Sequence, residues 1–366
     1  MKQIISFLLI FSIFFFSCPV ALASGGAFLM MDGRTGEVLE QESGDLPLPM
    51  ASTTKVMTAL VALEQVGLSE QVEIPPEAAG IEGSSLYMKA GERYSVEELL
   101  YGLLLRSAND CAEALAWYAG GKNRAHFIAL MNQKAKALGL ENTKFQNPSG
   151  LSEEGHYTTA HDLALIMKAA MEQPTFAAVS ASKSADIKGQ RVVNHNKLLS
   201  LYEHCVGGKT GYTMAAGRCL VSVAKDRGVL LICVTLGRRD DWNIHTVAYE
   251  KWFARLKEVP LAEAGDCRVE IPVAGGGVAM AVNSHSISAF LFADAKRVDK
   301  IIVAPHFLYG NQAKGEVVGS VEYRLGGALL GEAPLILKEE ISAKMKKELF
   351  ISRLFRFFRQ IFLKKR

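Results

Sequence analysis

The chain has 366 residues, 49% hydrophobic and 22% charged, with a formal net charge of +3. That length supports two domains and a sizeable core. The nearly balanced charge, with no basic stripe through the middle of the chain, excludes nucleic acid as the main partner. The N-terminus, MKQIISFLLIFSIFFFSCPVALA, joins an early lysine to a long apolar stretch and the small-residue site Ala21-Leu22-Ala23. This is the layout of a secretory signal cleaved after Ala23, so residues 1–23 are assigned as a signal peptide. A retained membrane helix and a lipoprotein signal ending at Cys18 are the alternatives. Pro19 and the cleavage site argue against the first, and bulky Phe15 and Phe16 against the second. The five remaining cysteines (Cys111, Cys205, Cys219, Cys233, Cys267) show no C-x-x-C spacing. An odd count without that spacing gives neither a disulfide framework nor a zinc site, and buried thiols are expected. Cys219 and Cys233 are the one pair considered to face each other across a hairpin. No metal or cofactor site is expected.

After the signal, AFLMMDGRTGEVLEQES reads as a β-hairpin turning at Asp32–Gly36. A helix is expected from Thr53 to about Gly67. In SVEELLYGLLLRSANDCAEALAWYAGG, Ser95 and Glu98 form a capping box ahead of a pair of helical stretches. A further helix stops at Gly139, and another opens on a Thr159/Asp162 box and is expected to stop at Pro174. From about Cys205 the period changes to strands, GRCLVSVAKDRGVLLICVTLG, joined at Asp226-Arg227-Gly228, before a helix over DWNIHTVAYEKWFARL. Strands, a helical block, antiparallel strands and a closing helix give an α+β domain, assigned to residues 24–258. Beyond Pro260, short strand-like runs separated by turn residues give a small all-β domain over 259–338. In ELFISRLFRFFRQIFLKKR, large apolar residues including Phe350, Leu354, Phe358 and Ile361 fall on one helical face, and Arg353, Arg356, Arg359 and Lys364 on the other. A cationic, aromatic amphipathic helix of this kind lies in a membrane interface and is too charged to span one. Residues 339–366 are therefore assigned as a membrane-surface anchor.

The chemistry concentrates in three short motifs. PMASTTKVMTALVAL places Ser52 and Lys55 three apart at the mouth of an apolar helical run, where they share a face. A desolvated lysine loses proton affinity and can serve a serine nucleophile as base. Two other S-x-x-K copies, Ser180/Lys183 and Ser222/Lys225, lie in a polar loop-like stretch and in a predicted strand. In a strand, residues three apart point to opposite faces. Downstream come Ser107-Ala108-Asn109 and Lys209-Thr210-Gly211, each the only one of its kind in the chain.

Ser-x-x-Lys, Ser-x-Asn and Lys-Thr-Gly in that order resemble the pattern of penicillin-binding proteins and class A β-lactamases. With the opening MMDGRTGEVL, the run NPSGLSEEGHYTTAHDLALI, the small β domain and the amphipathic tail, the mature chain is similar to the serine-type D-alanyl-D-alanine carboxypeptidases (peptidase family S11). The resemblance implies a transpeptidase-like α+β fold with its site between the helical block and one edge of a five-stranded antiparallel sheet. It implies Ser52 as acylated nucleophile, Lys55 as proton acceptor, Ser107 as proton relay and Asn109 as a contact to the substrate amide. Lys209 and Thr210 would meet the terminal carboxylate beside Gly211, and backbone N–H groups of Ser52 and Thr213 would form the oxyanion hole. Arg238 or Arg239 would assist at the carboxylate. The implied reaction removes the terminal D-Ala from peptidoglycan stem peptides ending in D-Ala-D-Ala, with no cofactor, on the outer face of the cytoplasmic membrane. β-Lactams would acylate the same serine. A class A β-lactamase would also need a Glu-x-x-x-Asn signature, which does not occur between Asn109 and Lys209. The alternatives kept are a D,D-endopeptidase acting on cross-linked strands and a catalytically silent peptidoglycan-binding scaffold.

Overall fold

A computed structural model describes residues 26–274, 276–292 and 298–341. The expected signal peptide and most of the expected anchor lie outside the described residues.

The hairpin of β1 (Ala27–Asp32) and β2 (Val38–Glu42) comes first in the chain. Asp32 closes its turn: the carboxylate accepts from the Arg34 backbone and guanidinium. A 3₁₀ turn, Ala51–Thr54, leads into α1 (Lys55–Gln65). Short strands β3 (Gln71–Glu73) and β4 (Arg93–Ser95) pair ahead of α2 (Val96–Tyr101). Ser95 and Glu98 make the full capping box read in the sequence. The predicted continuation of α2 widens into a π turn, Gly102–Arg106, ended by Ser107 in the left-handed conformation at φ +61°. Helices α3 (Asn109–Ala119), α4 (Arg124–Ala137) and α5 (Ala160–Met171) follow.

Two local expectations change. Thr159 accepts from the Asp162 N–H, but the Asp162 carboxylate takes the Asn142 N–H and the Thr143 hydroxyl instead of closing a box. Pro174 does not only end α5: it opens α6 (Pro174–Ala181), because a proline at the first helical position loses no hydrogen bond. Ser180 therefore sits buried on a helix rather than in a loop.

After the hairpin β5 (Ser184–Ile187) and β6 (Gln190–Val193) and the single turn α7 (Leu198–Leu201) comes the run β7 (Cys205–Thr213), β8 (Gly217–Asp226) and β9 (Val229–Leu236), closed by α8 (Asp241–Phe253). These strands join the first hairpin in one antiparallel sheet ordered β2-β1-β9-β8-β7. Alternation along each strand covers both faces. Leu29, Met31, Val221, Val223, Ile232 and Val234 pack under the helical block, while Met30, Leu220, Leu231 and Cys233 meet Tyr249, Trp252 and Phe253 of α8. The edge strand β7 stays open beside the helical block, and that edge carries Lys209-Thr210-Gly211. All five described cysteines are free and buried. Cys219 and Cys233 are not opposite, since Cys219 pairs with Leu236 and Ser222 with Cys233.

The C-terminal part is all β. β10 (Leu256–Ala262) pairs with β13 (Ile287–Phe292). β11 (Arg268–Pro272), β12 (Val278–Asn283), β16 (Ala328–Leu337), β15 (Val317–Leu325) and β14 (Asp299–Val303) form a second five-stranded antiparallel sheet in that order. It has its own core around Ile271, Ala281, Val321, Ala333 and Leu335. The two parts meet where Arg34 donates to the Phe290 carbonyl at 2.9 Å and Trp252 meets Phe292 edge-on.

Candidate active site

Ser52 sits half-buried on the second residue of the 3₁₀ turn. Ala51 before it is left-handed at φ +48°, an uncommon conformation for a residue with a Cβ. The turn is tied from below: Thr53 donates to the Met50 carbonyl at 2.6 Å and Thr54 to the Ala51 carbonyl at 2.8 Å. Gly150, at φ +83°, lies against the Ala51 carbonyl, where any Cβ would overlap it. On the other side Gly211 of β7 approaches so closely that a Cβ there would stand 2.9 Å from the Ser52 nitrogen. Glycine at these two positions therefore lets two backbones close on the serine.

Lys55, on the first residue of α1, is fully buried. Its Nζ is 2.9 Å from Ser52 Oγ, 2.7 Å from Asn109 Oδ1 and in contact with the Ser149 carbonyl. Burial, and then the charge of Lys209, hold this amine well below the usual lysine range. A neutral amine has two N–H bonds and one lone pair. The carbonyl oxygens of Asn109 and Ser149 can only accept, so when the amine is neutral they would hold its two N–H bonds and leave its lone pair for the Ser52 hydroxyl.

Ser107 and Lys209 form the opposite wall. Lys209, also buried, donates to Ser107 Oγ at 3.0 Å and to the Thr210 carbonyl at 2.8 Å. Burial brings its pKa down to about 7. The left-handed backbone at Ser107 turns that hydroxyl toward β7 while letting α3 start two residues later, with Asn109 at its first turn. Asn109 is engaged at both ends, since its Nδ2 donates to the Glu82 carbonyl at 2.7 Å. Asp110 pins the same loop: its buried carboxylate accepts from Ser85 Oγ at 2.5 Å and from the Leu86 and Met88 N–H groups.

A cavity of about 920 Å³ opens in front of these groups, lined among others by Ser52, Ser107, Thr210, Gly211, Tyr212 and Arg218. Thr213 is not among its lining residues. It borders a smaller adjoining cavity of about 280 Å³ with Ala51, Gly150 and Ser152. The structure thus brings Ser52, Lys55, Ser107, Asn109, Lys209, Thr210 and Gly211 together, with Thr213 just beyond.

Several participants escape sequence reasoning. Arg218, on β8 opposite Tyr212, faces the main cavity and is held by a bidentate bond to the buried Asp241 carboxylate, at 3.1 and 2.7 Å. Arg238, one of two arginines expected near the carboxylate, is paired with Glu42 at 2.7 Å. Neither Arg238 nor Arg239 lines the cavity. His156 lies under the nucleophile turn. The Gln146 N–H donates to its Nδ1 at 3.0 Å, so Nε2 carries the proton toward Thr54 Oγ1 at 2.8 Å. Burial lowers its pKa to about 4, keeping it neutral at ordinary pH. Ser222, the strand copy of S-x-x-K, is spent on a buried network with His245 and Tyr249.

A family model described as D-alanyl-D-alanine carboxypeptidase matches residues 17–240. The chain belongs to this family. Curated members extend the likeness along most of the molecule. The D-alanyl-D-alanine carboxypeptidase DacF of Bacillus subtilis is 30% identical over 341 residues, covering 88% of this chain and 86% of its own. DacC of Escherichia coli is 33% identical over 336 residues, covering 86% and 84%. Among solved structures, the D-alanyl-D-alanine carboxypeptidase DacD from Francisella tularensis superposes with a TM-score of 0.61 at 27% identity, over 87% of this chain and 94% of that one. A mutant of the Streptomyces K15 DD-transpeptidase matches at 32% identity and TM-score 0.60, over 63% of this chain and 98% of that one. Membership in this serine-peptidase family and the constellation around Ser52 agree.

Proposed function

We propose that this serine D-alanyl-D-alanine carboxypeptidase uses Ser52 as nucleophile and Lys55 as base to remove the terminal D-Ala from peptidoglycan stem peptides. The observation that carries the assignment is the buried Lys55 amine, 2.9 Å from Ser52 Oγ and bonded to the carbonyl oxygens of Asn109 and Ser149.

In acylation, Ser52 Oγ bonds to the carbonyl carbon of the penultimate D-Ala and its proton passes to Lys55 Nζ. The Ser52 and Thr213 N–H groups are the two donors for the developing oxyanion. Collapse breaks the C–N bond, and the departing D-Ala amine takes a proton delivered from Lys55 through the Ser107 hydroxyl, which Lys209 orients. Water then adds to the ester, Lys55 takes its proton, and the shortened stem leaves as Ser52 is regenerated. Asn109 orients the base as well as the rim of the site. Lys209 and Thr210 provide the near cationic and hydroxyl contacts to the terminal carboxylate, and Arg218 provides a fixed guanidinium for it, in place of Arg238 or Arg239. β-Lactams, as acyl donors, acylate the same serine.

The sequence of the two ends supports a cellular setting. Residues 1–23 direct export, 259–338 act as a spacer, and the cationic, aromatic segment 339–366 holds the enzyme on the outer face of the cytoplasmic membrane. Among the described residues no helix is long and apolar enough to cross a membrane. The deciding experiment is D-alanine release from a peptide ending in Lys-D-Ala-D-Ala by the mature protein and by Ser52→Ala. Release that disappears in the variant, together with loss of covalent penicillin labelling, supports the assignment. Release that persists in Ser52→Ala removes Ser52 from the chemistry.

A further inference from the structure

We infer that the far tip of the C-terminal β domain is itself a lipid-docking surface, a second membrane contact beside the segment that follows Ile341. The inference rests on the proposed membrane association and adds a specific surface to it.

The tip is built from the loop between β14 and β15 with the strand ends beside it. Val317 opens β15 opposite Ile336, and at the end of β16 Leu337 donates to the Glu316 carbonyl and accepts from the Gly315 N–H. The loop is anchored at Leu308, which is buried and bonded to Pro272 and Ala274 across the domain. Around that anchor the large side chains point outward: Phe307 is 52% exposed, Tyr309 70% and Val317 62%, with Val303 and Val278 exposed nearby. Isolated exposed apolar residues are ordinary on a protein surface. An aromatic pair and valines gathered at one pole of a small domain are a different case.

Two placements say what covers this pole. The opposite end of β15 and β16, the turn at Gly326, lies against Thr35 of the N-terminal part. The nine residues of β15 then put the tip roughly 25–30 Å away from that contact, on the side turned from the active-site domain. The chain also leaves the described structure at this tip: Gln312 and Ile341 exchange two backbone hydrogen bonds, at 3.0 and 2.8 Å. The next 25 residues begin there, with five phenylalanines interleaved with Arg353, Arg356, Arg359, Lys364, Lys365 and Arg366. A segment of that composition partitions to an anionic lipid surface. Its starting point carries Phe307 and Tyr309 to the same surface, where aromatic side chains settle at headgroup level. The loop is held to the domain on both sides of the aromatic pair, at Leu308 and at Gln312, so Phe307 and Tyr309 are presented from a fixed backbone.

The test uses the mature full-length chain. All five of its cysteines are buried, so Tyr309→Cys accepts a polarity-sensitive fluorophore selectively. Leu329→Cys, exposed near the opposite turn, is the control. Both proteins are mixed with vesicles of phosphatidylglycerol and phosphatidylethanolamine, and D-Ala release is followed in the same samples. The expected result is co-sedimentation with vesicles, a severalfold rise in emission at position 309 and none at 329. A Phe307→Ser/Tyr309→Ser double variant should keep full hydrolysis and partition about tenfold more weakly. Co-sedimentation with no change at 309, or with equal brightening at both positions, overturns the tip while leaving the anchor. Emission at 309 already bright in buffer overturns it in favour of cover by the chain's own C-terminal segment or by a second copy. Failure to co-sediment overturns the tip and the membrane association together. D-Ala release in these samples tests the enzymatic reading independently.

Discussion

Lys55 Nζ and Asn109 Oδ1 lie 2.7 Å apart, joining the first turn of α1 to the first turn of α3 across the site. A neutral amide oxygen at this position accepts an N–H bond equally well from an amine or an ammonium, so it orients Lys55 without forcing it to hold a proton. Asn109→Asp puts a carboxylate at the same distance and favours the ammonium. The expected outcome is a shift of the acid limb of penicillin acylation to higher pH, with acylation at pH 7 lowered by roughly 10²-fold or more. Asn109→Ala should lower the rate without moving the limb. Identical pH profiles for Asn109→Asp and the parent would remove this role for Asn109.

The same logic predicts the behaviour of Lys55→Arg. A guanidinium keeps its proton throughout the accessible pH range, so this variant retains positive charge and loses the base. Acylation by penicillin should fall by roughly 10²–10⁴-fold at every pH, without the recovery at alkaline pH that a lysine variant with a merely raised pKa would show. Measurable acylation that rises with pH in Lys55→Arg would assign the base to another group.

Gly150 fixes the nucleophile by shape. Any Cβ there overlaps the Ala51 carbonyl, and its own φ of +83° disfavours other residues. Gly150→Ala should therefore displace the Ala51–Ser52 peptide and destabilise the fold by about 1–3 kcal/mol, with activity falling further than stability alone explains. Urea unfolding and kcat measured on the same preparation check this. A variant of native stability and full kcat would show that the turn has room to spare.

How much of this was legible depended on where each contact's chemistry resides. Ser52, Lys55, Ser107, Asn109 and Lys209 are legible because the chemistry proposed for them resides in side chains and their spacing recurs as a pattern. The Ser149 carbonyl, which takes one of the Lys55 N–H bonds, is a backbone group and leaves no mark on residue identity. Arg218 reaches the cavity only through the β7–β8 register, which pairs it with Tyr212, whereas Arg238, nearer to the expected place in sequence, is turned to Glu42. His156 has no local sequence signal, and only the fold places it beneath Thr54. For the fold, caps and hairpin turns were readable because Ser95 and Asp226-Arg227-Gly228 act locally. The pairing of β10 with β13 joins segments too distant for any local signal.

Arg218 yields a prediction about specificity. Its guanidinium is oriented by Asp241 and faces the cavity, so it should recognise the free carboxylate of the terminal D-Ala. Arg218→Ala is expected to raise KM for a D-Ala-D-Ala peptide by roughly 10–100-fold, the range of a hydrogen-bonded charge contact. An amide-terminated analogue, which lacks that carboxylate, should be bound equally by parent and variant. Arg238→Ala should leave both unchanged. A loss of the same size for acid and amide peptides would show that Arg218 acts only by holding Asp241 and the start of α8.

Lys209 ties the site to stability. Burial lowers its pKa to about 7 in the folded chain, whereas the unfolded lysine keeps its proton up to about 10.4. Between these values the unfolded state binds more protons, so raising the pH favours folding, by up to about 1.4 kcal/mol per pH unit from this group. Below pH 7 both states are protonated and the burial penalty is full and constant. Above the unfolded value it vanishes. Lys209→Met removes the titration and leaves Ser107 and the Thr210 carbonyl without their partner, a loss that does not depend on pH. Relative to the parent, the variant should therefore be at its best near pH 6 and lose ground steadily toward pH 10, while D-Ala release is abolished throughout. Urea midpoints at pH 6, 8 and 10 read this directly, and a parent–variant difference that stays flat across the three would mean that Lys209 titrates alike in both states.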